Sequence, residues 1–286
     1  MRRLVAVTGA SGYLGARCVA ALRAAGLDAR RLVRTPSEPG DGLFRLGEAV
    51  DPAALSGVDA LIHAAHDFKA FGRDEQTRVN VAGSRALFDA ARAAGVRRIV
   101  AVSSISAFDG CRSEYGRAKL LMEAAAAERG GVSVRPGLIY GHGSGGMYGT
   151  LSRLCGLPVL PVADGGRQPM FLAHEADVCA ALIAALDWDP AAAGGPVTLA
   201  HPEPVPFAEL LRRIARGRGR DPLLVPVPSA LMLGALGAAE ACRLRLPARR
   251  DSLLSLLSPN PAPDFEAARR LGLGFREFPK TASFDH

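Results

Sequence analysis

The first half of the chain alternates short aliphatic and β-branched runs with alanine-rich segments that are long enough for helices. The apolar runs read RLVAVTG, DARRLVR, ALIHAA, RIVAVSS and VSVRPGLI, and PVTLA follows later in the chain. Helices are expected over about 13–25 and 80–94 and from about 113 onward. Elements that alternate in this order bury their apolar faces best when parallel strands form a sheet between helices. The pattern therefore predicts an α/β fold with a doubly wound parallel sheet.

A glycine-rich turn, TGASGYLG, follows the first of these strands and leads into a helix. Glycines spaced three apart permit a tight turn and a close backbone approach, and the helix N-terminus offers free amides and a positive dipole to a pyrophosphate. A compact strand-to-helix connection is the alternative explanation. The position of the turn after the N-terminal strand favours a dinucleotide, and hence a Rossmann fold. The predicted contacts are Gly9, Ser11, Gly12, Tyr13, Leu14 and Gly15.

The residue at the end of the second strand indicates which dinucleotide is preferred. An acidic residue there binds the ribose hydroxyls, whereas an arginine accommodates a 2′-phosphate. The run DARRLVRTP ends at Arg34 with no acid beside it, which favours NADP(H) over NAD(H). Two alternatives remain: Arg34 is a surface residue of an arginine-rich chain, or the phosphate lies on Arg30, Arg31 or Arg17.

Six motifs in order make the chain similar to the extended short-chain dehydrogenase/reductase superfamily. They are TGASGYLG, DALIHAA, NVAGSRALFDAA, VSSISAF, YGRAK and RPGLIYG, and the resemblance is good up to about residue 200. It implies a Rossmann domain over 1–141 and 171–200, with a smaller, discontinuous substrate-binding lobe over 142–170 and 201–286. It also adds Glu48, Ala64, Ala65, Lys119 and Pro136 to the cofactor contacts.

The same resemblance assigns the catalytic groups. Tyr115 and Lys119 share a helix face because they are four residues apart. A nearby ammonium lowers the pKa of a phenol, so the expectation is that Tyr115 exchanges a proton near neutral pH as a general acid. The resemblance implies that Ser104, rather than Ser103 or Ser106, holds the substrate oxygen. It gives Lys119 a contact with the nicotinamide ribose and Asn80 a place in a proton path through water.

Three departures from sugar-nucleotide relatives bear on the substrate. The segment SSISA carries no acid/base carboxylate, and Leu138 and Ile139 stand near the place where those enzymes have an asparagine. Only ten residues separate Ser104 from Tyr115, which predicts a more open site. These features favour an NADPH-dependent ketoreductase acting on a small-molecule carbonyl or alcohol. An NAD-dependent nucleotide-sugar epimerase or 4-ketoreductase and a non-catalytic dinucleotide sensor remain as alternatives.

Composition narrows the possible partners. The net charge of +7 comes almost wholly from arginine, since Lys69, Lys119 and Lys280 are the only lysines among 35 basic residues. The arginines are spread along the chain without a basic arm, so nucleic acid is not expected as a partner. The five cysteines have no paired spacing, which predicts a reducing cytoplasm and no metal site. His63 and His66 lack the cysteine or carboxylate neighbours that a metal would need.

Three further expectations concern a helical segment, a glycine-rich loop and the oligomeric state. The segment ALMLGALGAAEA (230–241) is too short to span a membrane and is interpreted as a buried amphipathic helix rather than a membrane-surface helix. The loop GHGSGGMYG is expected to be poorly anchored, with His142 and Ser144 as possible substrate contacts. The resemblance makes a homodimer through the helix of Tyr115 plausible.

Overall fold

The computed structural model describes residues 2–70, 72–142, 145–244 and 249–280. Its main sheet has seven strands, all parallel, in the order β11-β6-β5-β4-β1-β2-β3. These strands are β1 (Leu4–Thr8), β2 (Asp28–Val33), β3 (Gly42–Leu43), β4 (Ala60–His63), β5 (Arg98–Val102), β6 (Val132–Pro136) and β11 (Val197–Leu199). Two apolar clusters cover the sheet. The α/β, doubly wound prediction is confirmed.

Eleven α-helices occur among the described residues. They are α1 (Tyr13–Ala24), α2 (Gly72–Glu75), α3 (Ala82–Ala93), α4 (Glu114–Ala127), α5 (Gly146–Leu154), α6 (Glu175–Ala184), α7 (Pro190–Ala193), α8 (Phe207–Gly217), α9 (Ser229–Ala241), α10 (Arg250–Leu257) and α11 (Glu266–Arg270). A π-helical turn over 76–81 joins α2 to α3. The three helices expected in the first half are α1, α3 and α4, each close to its predicted bounds.

Three two-stranded sheets are formed by segments from 138 onward. β7 (Leu138–Tyr140) pairs with β10 (Leu172–His174), β8 (Val159–Ala163) with β13 (Leu223–Val227), and β9 (Pro169–Met170) with β12 (Val205–Pro206). The run VSVRPGLI is thus two strands, not one. Gly137 is the residue between the two strands. A Cβ at this position would lie 2.3 Å from the Phe171 carbonyl oxygen, so only glycine fits there. The division into two domains stays a prediction.

The interpretation of α9 as a buried helix is wrong. Only Ala239 is fully buried in it. The most exposed residues are Ala230, Leu231, Gly234, Ala235, Ala238 and Ala241. Their spacing places them on one face, since 3.6 residues make a turn. Alanine and glycine are compatible with either side of a helix, so the composition of this segment did not distinguish a buried face from an exposed one. No described helix is long and apolar enough to cross a membrane.

Helix α4 is fixed on the sheet by an ion pair and by a close backbone approach. Arg135 on β6 donates from Nε and Nη2 to the two carboxylate oxygens of Glu123, at 2.8 and 2.6 Å. Both side chains are largely removed from water. At the other end of the helix, a Cβ on Gly116 would lie 2.4 Å from the Ser106 carbonyl oxygen. These contacts hold the N-terminal turn of α4 against the segment that follows β5.

Candidate functional site

The glycine turn forms a cradle at the carboxyl end of β1. Gly9 has a φ of +66°, and a Cβ on Gly15 would lie 2.1 Å from the Gly9 carbonyl oxygen, so neither position accepts a larger residue. Gly12 is the N-cap residue of α1 and offers no side chain to cap the first amides, and the first turn carries no acidic residue. Those amides and the helix dipole remain available to an anion. The cradle therefore fits the pyrophosphate of a dinucleotide.

Three of the other predicted cofactor contacts, Ala64, Ala65 and Pro136, lie at the same edge of the sheet. The Ala64 and Ala65 backbone follows β4, and a Cβ on Gly9 would lie 3.0 to 3.1 Å from it. Pro136 ends β6 and is buried. Glu48 is exposed, and its carboxylate lies 3.7 Å from Arg45 Nη1. The parallel strands bring these segments together because their carboxyl ends share one edge.

Arg34 is exposed directly after β2 and makes no hydrogen bond or ion pair within the part of the chain that the structure describes. The three competing arginines are engaged. Arg30 donates to the Ala54 and Ser56 carbonyl oxygens, and Arg31 forms ion pairs with Glu38 and Asp41. Arg17 donates to the His142 carbonyl oxygen at 2.9 Å. Arg34 is thus the arginine of the four that has no other partner.

Ser104, Tyr115 and Lys119 are brought together at the carboxyl end of β5. Ser113 caps α4 by accepting from the Gly116 amide at 3.1 Å, which places Tyr115 in the first turn. Lys119 is 4% exposed and donates to the Val102 carbonyl oxygen at 2.7 Å. Its Nζ lies 5.9 Å from the centre of the Tyr115 ring. The helical spacing that was noted in the sequence does place the two side chains side by side.

The expectation that the pKa of Tyr115 is lowered is wrong. Burial raises the pKa of the phenol, and the hydrogen bond with the Ser104 hydroxyl only partly opposes that rise. Burial also lowers the pKa of Lys119 to about 8, against the opposing effect of Glu123. Desolvation is the largest cause of both shifts, because it disfavours the charged form of each group, the phenolate of Tyr115 and the ammonium of Lys119.

Asn80 lies in the π-helical turn, and its carboxamide is fully engaged. Oδ1 accepts from the Asp67 amide at 2.7 Å, while Nδ2 donates to the Asp67 carbonyl oxygen and to Gln76 Oε1. The Asn80 backbone carbonyl accepts from Ser84 Oγ at 2.5 Å. Asn80 therefore fixes the loop that follows β4. Its place in a proton path stays a prediction.

His63 is a buried structural residue. Its Nδ1 and Nε2 lie 2.8 Å from Thr8 Oγ1 and Ser84 Oγ respectively, and burial lowers its pKa to about 3. The Thr8 hydroxyl also accepts from the amides of Ala64 and Ala65. This network joins the ends of β1 and β4 beneath the cradle. Across the described ranges, no three His, Cys, Asp or Glu side chains are grouped as a metal site would require.

The described residues at the two ends of the loop after β7, 141–142 and 145, are better anchored than the glycine content of the loop suggested. The Glu175 carboxylate accepts from the Tyr13 hydroxyl and from the His142 amide, and it lies 3.6 Å from Arg17 Nε. A Cβ on Gly145 would lie 2.6 Å from the Tyr13 ring. The sequence analysis missed Glu175 because the three segments it joins are far apart in the chain. Ser144 lies outside the described residues.

Two residues of the C-terminal region complete the surroundings of Tyr115. Asp251 at the start of α10 accepts from the amides of Glu114 and Tyr115 at 2.8 and 3.1 Å. Arg249 donates to the Phe68 carbonyl oxygen. Together with Ser113, Asp251 satisfies the three free amides of the first turn of α4. Neither residue was identified from the sequence, since no local motif links them to a helix more than 130 residues earlier.

A family model described as the NAD dependent epimerase/dehydratase family matches residues 5–199, more than half of the chain. The chain belongs to this family. The family match includes the cradle, Ser104, Tyr115 and Lys119, and it makes the protein an NAD(P)-dependent enzyme of the extended short-chain dehydrogenase/reductase type. Asp251 lies beyond the matched residues.

Relatives and solved structures agree with the family assignment. A ceramide reductase of Caulobacter vibrioides is 32% identical over 283 residues, which covers 92% of this chain and 88% of that protein. A 4-hydroxy-2-methyl-3-oxo-4-farnesyl-3,4-dihydroquinoline-1-oxide ketoreductase of Stigmatella aurantiaca is 28% identical. The match covers 94% of this chain and 91% of that protein. MoeE5 in complex with UDP-glucose and NAD shares the fold with a TM-score of 0.71 at 22% identity, covering 96% of this chain and 94% of that chain.

Asp251→Ala is expected to lower the free energy of unfolding by about 0.5 to 2 kcal/mol, because two amides of α4 lose their acceptor. Turnover should fall as well, since those amides fix the first turn that carries Tyr115. Asp51→Ala is the matched control, because Asp51 caps only the short 3-10 turn over 52–55. Urea denaturation and initial rates measure the two effects. Equal turnover in both variants would contradict the positioning role.

Proposed function

We propose that the protein is an NADPH-dependent carbonyl reductase of small molecules, with Tyr115 as the general acid. The observation that carries this proposal is the grouping of Ser104, Tyr115 and Lys119 beside a glycine cradle that fits a dinucleotide. The dinucleotide would supply a hydride to the carbonyl carbon. A phenol and a hydroxyl on the substrate oxygen are the groups that such a reduction needs from the protein.

Each of the three side chains has one task in the proposed reaction. The Ser104 hydroxyl donates to the carbonyl oxygen and orients it. The Tyr115 phenol gives its proton to the same oxygen, so that the carbonyl becomes an alcohol. The Lys119 ammonium, next to the ring and held by the Val102 carbonyl, favours the phenolate that remains. A phenol whose pKa is raised by burial holds its proton at neutral pH, which is the form required for reduction.

Reduction is favoured over epimerisation by two observations. The two relatives described above are named as a ceramide reductase and a farnesyl-dihydroquinoline-1-oxide ketoreductase, and both names are those of reductases. The stretch SSISA around Ser104 carries no carboxylate of the kind that the dehydratases of the family use beside this serine. A reductase consumes reduced cofactor stoichiometrically, whereas an epimerase keeps its dinucleotide and shows no net redox change. Native mass spectrometry and an NADPH-consumption assay distinguish the two.

Tyr115→Phe is expected to lower kcat by about 10² to 10⁴, because the phenol supplies the proton in the transition state. The dissociation constant of NADPH should change little, since the hydroxyl does not hold the cofactor. Tyr140→Phe is the matched control: it also removes one tyrosine hydroxyl, which here donates to the Glu277 carbonyl oxygen. Steady-state kinetics with fluorescence titration of NADPH measures both quantities. Tyr115 would have no catalytic role if the Phe variant kept most of its turnover.

The preference for NADP(H) is proposed on the basis of Arg34. This residue directly follows β2 and has no partner among the described residues, while Arg17, Arg30 and Arg31 are engaged elsewhere. A charge-assisted hydrogen bond to a 2′-phosphate contributes about 1.5 to 3 kcal/mol. That corresponds to a preference of roughly ten- to a hundredfold over NAD(H).

Arg34→Asp is expected to reverse this preference, because the carboxylate repels the phosphate and binds ribose hydroxyls. The ratio of kcat/KM for NADPH to that for NADH gives the measurement. Arg212→Asp is the control for the change of charge alone, since Arg212 is exposed on α8 and distant in sequence from the cradle. A parent enzyme that prefers NADH contradicts the assignment. If Arg34→Asp leaves the ratio of kcat/KM for the two cofactors unchanged, another arginine binds the 2′-phosphate.

A homodimer through the outer face of α4 is proposed as well. Leu121 is half exposed there, and Leu120 and Ala118 lie beside it in a shallow groove between α4 and the π-helical turn. Burying this face against a second copy would remove apolar surface from water. Sedimentation velocity measures whether the protein is a dimer in solution. A monomer at micromolar concentration would contradict the proposed homodimer.

A further inference from the structure

Helix α9 turns an uncharged apolar face to solvent. The most exposed residues of this face are alanine, glycine and Leu231, and Leu231 is 66% exposed. The helix contains one charged residue, Glu240, whose carboxylate accepts from the Arg250 amide at 2.9 Å. A helix on the surface of a protein ordinarily carries charged or polar residues on the side that faces water. An exposed helix face without them indicates an interaction surface.

Two further apolar side chains are exposed near the C-terminal end of α9. Leu244 follows the helix and is 62% exposed, and Phe68 is 65% exposed. The Phe68 carbonyl oxygen accepts from Arg249, the residue before α10. Helix α10 lies against α9, since a Cβ on Gly237 would be 3.5 Å from the Arg250 side chain. The exposed face of α9, Leu244 and Phe68 therefore belong to one region, the α9 surface.

Arginines outnumber carboxylates beside the α9 surface. The run from 240 to 251 contains four arginines and two carboxylates. Both carboxylates are engaged, Glu240 by the Arg250 amide and Asp251 by two amides of α4. Arg243 is exposed, and its guanidinium has no hydrogen bond or ion pair among the described residues. Exposed apolar side chains with arginines beside them are complementary to a membrane surface that contains anionic lipid.

A second copy of this chain fits the α9 surface less well. In a two-fold symmetric contact the same patch lies on both partners, so the arginines of one copy would approach those of the other. The net charge of +7 on each copy adds to this repulsion. Anionic lipid attracts the same arginines. Charge therefore favours a lipid surface as the occupant.

We propose that the α9 surface docks the protein on a membrane that contains anionic lipid. Leu231 and the exposed face of α9 enter the headgroup region, and Arg243 binds lipid phosphates. The helix lies in the plane of the interface, because its 13 residues span only about 20 Å.

Docking also places the proposed active site beside the lipid. The Phe68 ring is nearly parallel to that of Tyr115, with 6.0 Å between the centroids. An apolar carbonyl compound dissolved in the membrane then reaches Tyr115 from the lipid side. This consequence rests on the proposed function, whereas the docking itself does not.

Sedimentation with sucrose-loaded vesicles measures docking. The parent protein is expected to bind vesicles of equal parts phosphatidylcholine and phosphatidylglycerol, and to bind phosphatidylcholine vesicles about tenfold more weakly. Leu231→Glu should lower the partition coefficient on the mixed vesicles by about tenfold or more, because a charge enters the inserted face. Leu43→Glu is the matched control, since Leu43 is half exposed on β3, the edge strand of the main sheet. Urea denaturation shows whether each variant is folded.

A pair of arginine variants separates docking through the α9 surface from a general attraction of the protein to anionic lipid. Arg243→Gln is expected to weaken binding to the mixed vesicles by about fivefold, because one basic group near the lipid is lost. Arg212→Gln makes the same change on α8, outside the α9 surface, and should weaken binding much less.

Cys242 reports where the end of α9 lies. It is exposed, whereas the other four cysteines are buried, so a thiol-reactive fluorophore labels this position selectively. An environment-sensitive fluorophore on Cys242 should shift its emission to shorter wavelength with the mixed vesicles, and much less with phosphatidylcholine alone. The measurement needs neither cofactor nor turnover. Docking without any NADPH consumption would mean that the proposed function fails while the α9 surface stands.

Four outcomes overturn the proposal. The first is a parent protein that does not bind the mixed vesicles at low ionic strength. The second is a Leu231→Glu variant that binds them as the parent does. The third is an equal loss of binding in Arg243→Gln and Arg212→Gln, which would show a general attraction only. The fourth is a change of oligomeric state in Leu231→Glu without vesicle binding by the parent, which would make a second copy the occupant.

Discussion

Gly116 sets the distance between helix α4 and the segment that follows β5. A Cβ there would lie 2.4 Å from the Ser106 carbonyl oxygen and 3.0 Å from Cys111 Sγ, so any other residue would push the helix outward. At the observed distance Lys119 reaches the Val102 carbonyl, and Tyr115 comes within hydrogen-bonding reach of Ser104. The ion pair between Glu123 and Arg135 fixes the other end of the helix. The arrangement of the site depends on this one close approach.

Much of the site was predictable because its residues belong to local patterns. The cradle follows from glycines at fixed spacing after a strand, and the proximity of Tyr115 to Lys119 follows from the pitch of a helix. The parallel sheet follows from the alternation of strands and helices, and it brings the ends of β1, β4, β5 and β6 to one edge. These features require only the geometry of neighbouring residues in the chain.

The residues that were missed act across long separations in sequence. Asp251 reaches the amides of α4, and Glu175 joins Tyr13 to His142. No periodicity or short motif encodes such contacts, because they depend on how the second half of the chain packs. The direction of the Tyr115 pKa was missed for a related reason. The helical spacing of Tyr115 and Lys119 is visible in the sequence, but the desolvation that raises the pKa of Tyr115 depends on the surrounding fold.

The cap that Asp251 provides for α4 limits the exchange of C-terminal regions between members of the family. The family match ends at residue 199, which suggests that the first two thirds of the chain could be combined with the C-terminal region of another member. The acceptor for the Glu114 and Tyr115 amides, however, comes from Asp251. A chimaera needs a carboxylate at the equivalent place in the incoming region, or its helix α4 begins with two unsatisfied amides.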